Sequence, residues 1–186
     1  MTLRESNHFL TNLIKEDKPF TVLRLGGIEA FIALNVMFKN KIEMKYIFIL
    51  GRNAGIYCRG PQDIIKYGNL YNLAIKIGFF LPSIISPTAY VSKHSKIGDG
   101  SVIMHNAIVN ANTSIGVNSI INSQALIEHD CIIAEHCHIS TNATINGGVQ
   151  IGSKCFVGSN VITKENIKIM DNTFIKAGSL VKWVYL

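Results

Sequence analysis

Every sixth residue from Ile85 to Val181 is isoleucine or valine, and Thr163 is the one exception in seventeen positions. A second series, four residues behind the first, is small or β-branched. It begins with Ala89, Ser95, Ser101, Ala107 and Thr113 and includes Cys131, Cys137 and Cys155. No insertion interrupts the period. A strict six-residue repeat of this length predicts a parallel β-helix of stacked hexads. A β-branched side chain suits a pleated, buried surface, and a small one at the second inward position lets the chain turn a corner near the axis. One short strand cannot bury its apolar face alone, so the coils must stack. Three hexads close one triangular coil, which places residues 18 apart above one another. The outward positions hold Gly98, Asp99, Gly100, Asn106, Asn110, Asn112, Gly116, Asn118, Asn122, Gly152 and Gly158. Asn and Gly tolerate left-handed backbone at corners.

The repeat claims residues 81–186. Residues 1–80 are enough for a small α/β module. There, Thr2 and Glu5 have the spacing of a capping box, followed by a helical stripe to about Glu16. Phe20–Leu25 and Met44–Leu50 read as strands, with Gly26-Gly27 and a helix over Ile28–Phe38 between them. Asp63–Ile77 reads as a helix with Ile64, Leu70, Leu73, Ala74 and Ile77 on one face. The Leu25–Glu29 turn is a structural turn rather than a nucleotide loop, since it lacks the full glycine fingerprint.

Net charge is +6, carried unevenly. Residues 1–80 hold 11 Lys+Arg against 6 Asp+Glu, whereas residues 81–186 hold 7 against 6. The basic residues are scattered, which argues against nucleic acid and fits either a solvated surface or an anionic small ligand. No stretch reads as a membrane span: the window Phe20–Phe38 contains Arg24 and Glu29. The charged N-terminus does not read as a signal peptide, so a cytoplasmic location is expected. The four cysteines form no CxxC pair. Three of them take the small inward position, where Cys acts as a small hydrophobe, and no metal is expected.

The chemistry concentrates in Ile127-Glu128-His129-Asp130-Cys131 and the following Glu135-His136-Cys137-His138-Ile139-Ser140. His129 is outward and flanked by Glu128 and Asp130. An imidazole beside a carboxylate is arranged as a general base, because the carboxylate selects the tautomer and makes the other ring nitrogen more basic. Gly147 lies one coil beyond His129 and is followed by Gly148. Glycine there leaves backbone N–H groups open to an oxyanion or a thioester carbonyl.

These motifs, together with His138-Ile139-Ser140 and Gly147-Gly148, resemble the hexapeptide-repeat acyltransferases, whose fold is a left-handed β-helix. The resemblance is to the sialic acid O-acetyltransferase and UDP-amino-sugar N-acetyltransferase group of bacterial surface glycan pathways. It covers slightly over half the chain and implies acetyl-CoA as co-substrate and a sugar or nucleotide sugar as acceptor. It implies His129 as general base, Asp130 as the acid that makes it more basic, His138 in contact with acetyl-CoA, and the N–H near Gly147 facing the thioester oxygen. It also implies a homotrimer with active sites between subunits. Separately, Pro19–Glu29 and Asn53–Tyr57 resemble the opening of a glycosyltransferase family used in surface polysaccharide assembly, a domain much longer than eighty residues. This implies a partial domain in the N-terminal module. Two other readings stand beside the acetyltransferase. One is a non-catalytic scaffold or truncated fusion. The other is a metal enzyme like the γ-class carbonic anhydrases, which needs converging histidines that the spacing of His129, His136 and His138 does not match.

Overall fold

The computed structural model of the chain describes residues 21–24, 47–50, 61–76 and 81–183. The expected helices over 2–16 and 28–38, the Gly26-Gly27 turn and Cys58 lie outside the described residues. By its internal contacts the chain divides into two units. One holds residues 1–57 and 69–82, and the other holds residues 58–68 and 83–186.

In the first unit β1 (Thr21–Arg24) pairs in parallel with β2 (Ile47–Leu50), Thr21 opposite Ile47 and Arg24 opposite Leu50. Helix α1 runs from Pro61 to Lys76, beginning two residues before the expected Asp63. Proline suits the first helical position, where its missing N–H would have no partner and its φ is already helical. Ile64, Gly68, Tyr71 and Ala74 are buried on α1, and Leu73 is half-buried. Tyr71 thus joins the apolar stripe. The N-terminal half of α1 groups with the β-helix unit. Within that unit Gly68 lies against the His136 imidazole, close enough that a Cβ on Gly68 would stand 3.6 Å from the ring.

The second unit is the predicted solenoid. Its seventeen strands of two residues form three parallel sheets of six, five and six. One face carries Tyr90–Val91, Ile108–Val109, Leu126–Ile127, Thr144–Ile145, Ile162–Thr163 and Leu180–Val181. Register is 18 throughout: Leu126 sits opposite Ile108 on one side and Thr144 on the other. The second residue of each strand points inward. Ile103 to Val181 in this series are essentially buried, and Ala107, Ala125, Cys131, Ala143 and Cys155 fill the corners behind them. The three described cysteines are free thiols. Burial pushes the Cys131 thiol up to about 11, so it is an inert filler. The first hexads differ: Ile85 is 43% exposed, and Val91 and Ile97 are half-buried. These positions belong to the first coil, at the end of the stack, where an inward side chain has a neighbouring coil on only one side.

Each of fourteen successive hexads turns through one left-handed residue, at Gly100, Asn106, Asn112 and every sixth residue to Gly178. Seven are the favoured Asn, but Gln124, Asp130, His136 and Lys154 also take this conformation with φ near 60°. Asn166 and Asn172 continue the Asn run. Gly98, Gly116, Gly152 and Gly158 do not adopt it. Their reason is close approach, since a Cβ on Gly98 would lie 2.6 Å from the Val117 nitrogen and one on Gly116 would lie 2.6 Å from the Ala134 carbonyl carbon. Among the described residues, no helix is long and apolar enough to cross a membrane.

Candidate active site

The coil corner after strand Leu126–Ile127 carries the site. Ile127 is fully buried and anchors the turn. Glu128, His129 and Asp130 then project outward, and Asp130 is the left-handed residue of its hexad, with φ 60°. That conformation directs its carboxylate back along the chain. Asp130 Oδ2 stands 2.7 Å from His129 Nδ1. The side chains are 63% and 54% exposed, so both are accessible to substrate and solvent.

The coil before supplies the supports. Asn112, eighteen residues earlier, donates from Nδ2 to Asp130 Oδ1 at 2.6 Å. Asn110 donates likewise to Glu128 Oε2 at 2.9 Å. The Asn112 amide, and then the imidazole, hold the Asp130 carboxyl below its ordinary range. The bond to Asp130 raises the pKa of His129, with smaller help from the charges of Asp130 and Glu128. With its carboxylate facing Nδ1, the neutral ring carries its proton there, and the lone pair is on Nε2. The ring is thereby set up to accept a proton.

The coil after supplies the floor. Gly147 lies beneath the imidazole so closely that a Cβ would stand 2.9 Å from Cε1 and 3.0 Å from Nε2 of His129. Only glycine leaves the ring its place. Among the described residues the Gly147 N–H has no acceptor, whereas the Gly148 N–H donates to the His129 carbonyl at 3.0 Å. Of the two N–H groups expected to be open, Gly147 alone has its donor free. Gly148 serves the corner instead, with φ +68°. The cleft measures about 580 Å³ and is lined by Glu128, His129, Asp130, Asn146, Gly147, Gly148, Glu165 and Asn166. Among the described residues three carboxylates line it and no Lys or Arg does.

His138 is not part of this cleft. It occupies an outward strand position on another sheet, between Ile120 and Phe156, and is only 3% exposed. Its ring meets Phe156 edge-on at 5.1 Å. Its Nε2 is 3.3 Å from Asn122 Nδ2, and its Nδ1 is buried without a partner among the described residues. Burial lowers its pKa to about 4, so the ring is neutral at physiological pH. The resemblance implied a contact between this residue and acetyl-CoA; in the single chain the ring is enclosed. His129, His136 and His138 also do not converge within the chain. His129 and His136 occupy successive corners and His138 a sheet face.

The structure brings His129, Asp130, Gly147 and Gly148, which the sequence singled out, into one cleft. Sequence reasoning missed Asn110, Asn112, Asn146, Glu165 and Asn166. The signal was available, for each lies one 18-residue step from Glu128, Asp130, Gly147 or Gly148.

No family model matches the chain, and no curated protein does either. Solved structures do. A variant of perosamine N-acetyltransferase from Caulobacter crescentus, in complex with CoA and GDP-perosamine, aligns with a TM-score of 0.73 and 26% identity over 83% of this chain and 68% of that one. The acetyltransferase domain of PglB from Neisseria gonorrhoeae aligns with a TM-score of 0.71 and 25% identity, over 82% of this chain and 70% of that domain. PerB from Caulobacter crescentus, in complex with CoA and GDP-perosamine, shares the fold at a TM-score of 0.64 and 24% identity over 89% and 90% of the two chains. The chain is thus similar to hexapeptide-repeat sugar acetyltransferases built on a left-handed β-helix, and this likeness supports an acyltransferase.

Proposed function

We propose that the protein transfers an acetyl group from acetyl-CoA to an amino or hydroxyl group of a sugar or nucleotide sugar, in surface glycan assembly. His129 is the general base, Asp130 its orienting carboxylate, and the Gly147 N–H the oxyanion donor. The observation that carries this reading is the His129 ring, held at Nδ1 by Asp130 at 2.7 Å and seated directly on Gly147 in an open cleft. Nε2 takes the proton as the acceptor attacks the thioester carbonyl. Negative charge develops on the carbonyl oxygen, which the Gly147 N–H stabilises. The thiolate of CoA leaves and regains a proton. Attack is direct, so no nucleophilic Ser or Cys is required, in keeping with the burial of Cys131, Cys137 and Cys155. Glu128, Asp130 and Glu165 give the cleft negative charge, which favours an amine acceptor over a neutral hydroxyl. Perosamine N-acetyltransferase, bound to CoA and GDP-perosamine, supports the substrate classes.

The protein assembles as a homotrimer in this reading. One sheet face presents an outward apolar row, Tyr90, Ile108, Ile162 and Leu180, each between 38% and 59% exposed. Its location is the cytoplasm, where acetyl-CoA is made.

The test mixes the protein with acetyl-CoA and amino sugars, free and nucleotide-linked, and follows CoA thiol release. Sedimentation of the same preparation reads the assembly. His129→Ala is expected to lower kcat by about 10²–10⁴-fold, the usual worth of a general base. Equal rates for this variant and the wild type would remove His129 from the role.

A further inference from the structure

Thr163 is the one inward ladder residue that is neither Ile nor Val, and it is fully buried. Its face of the solenoid follows one rule elsewhere. The N–H after each inward residue donates to the carbonyl one coil on: Ser92 to Val109 at 2.9 Å, Asn110 to Ile127 at 2.9 Å, Glu128 to Ile145 at 2.9 Å and Lys164 to Val181 at 2.7 Å. At Asn146 the rule breaks. Its N–H donates to the Thr163 hydroxyl at 2.9 Å, and the Thr163 carbonyl accepts from the Asn146 side chain at 2.6 Å instead. The strands register the exchange. Thr144 pairs with Ile162 alone, where the neighbouring strands of that face pair at both residues.

The break falls one residue before Gly147. We infer that Thr163 is a positioning residue: by capturing the Asn146 N–H it displaces the chain from the regular ladder and sets Gly147 under His129. A buried hydroxyl needs some partner. Here the partner it takes shifts the backbone segment that carries the proposed oxyanion donor. Thr163 itself touches no reacting atom. This inference rests on the acetyl-transfer reading of the site.

Valine has nearly the shape of threonine and matches the rest of the ladder, so Thr163→Val is expected to fold. Without the hydroxyl, the Asn146 N–H returns to the residue 163 carbonyl and Gly147 moves with it. Steady-state acetyl transfer by wild type, Thr163→Val and Thr163→Ser, with pH profiles and melting temperatures, tests the idea. The expected result is a kcat at least tenfold lower in Thr163→Val. Its KM for acetyl-CoA stays within about twofold, its pH midpoint is unchanged and its melting temperature is not lowered. Thr163→Ser, which keeps the hydroxyl, is expected within about threefold of wild type. A Thr163→Val kcat within threefold of wild type overturns the inference. So does an equal loss in Thr163→Val and Thr163→Ser, which would make volume the cause, or a shifted pH midpoint, which would place the effect on His129. A wild type that releases no CoA with any acceptor overturns the acetyl-transfer reading itself, and the positioning role with it.

Discussion

Replacing Gly147 by alanine adds one carbon at the most crowded point of the cleft. Built on the backbone, that carbon lies 2.9 Å from Cε1 and 3.0 Å from Nε2 of His129. Carbon atoms rest at about 3.5–4.0 Å, so the ring must retreat by roughly 0.5–1 Å. The fold tolerates this, because Gly147 is not among the left-handed residues and His129 is an exposed side chain free to swing. Stability is therefore expected to change by no more than about 1 kcal/mol, as for surface substitutions with a small local adjustment. Activity is far more sensitive. A misplacement of about 1 Å at a reacting group costs on the order of 100-fold, so kcat is expected to fall by about 10–100-fold. The retreat also draws Nδ1 from Asp130, the main cause of the raised His129 pKa. The acid limb of the pH–rate profile should then move to lower pH. Thiol release from acetyl-CoA across pH 5.5–9, with a thermal melt of the same samples, measures both effects. A Gly147→Ala enzyme with kcat within twofold of wild type would refute the geometry on which the proposed chemistry stands.

Two more outcomes follow from the same structure. Asp130→Asn removes the carboxylate that raises the His129 pKa. The base must be neutral to act, so activity is lost as pH falls through its pKa. With that pKa lowered, the midpoint of the acid limb should shift down toward 6.5 while the plateau rate drops; a midpoint that stays in place would contradict the assigned role. Lys154 holds φ 60°, where a non-glycine residue costs roughly 1–2 kcal/mol. Lys154→Gly relieves that strain at an entropic cost of about 0.5–1 kcal/mol, so denaturant unfolding should show a net gain of about 0.5–1 kcal/mol, and Lys154→Ala should show none.

The solenoid was legible because its rule is local. A β-branched residue every sixth position and a small one four later specify a strand and a corner without reference to distant residues. The His129–Asp130 pair was legible for the same reason, since adjacent residues need only a local turn to meet. The corner residues were read less well. Asn was seen to favour left-handed backbone, but Lys154, Gln124 and His136 adopt the same φ with no compositional sign. The stack imposes the turn whatever residue occupies it. His138 shows the opposite limit: its outward strand position suggests access to solvent, yet it is buried.

By itself, then, the order of residues determined the coil, its 18-residue repeat and the corner that presents the imidazole, because each depends on side-chain size and shape at fixed spacing. Only the tertiary structure decided what surrounds that imidazole. Asn112 reaches Asp130 from the coil before, Gly147 comes under the ring from the coil after, and the Thr163 hydroxyl takes the N–H of Asn146 from one coil further on. Such contacts turn on tenths of an ångström between stacked backbones. Those distances arise only once the coils have packed.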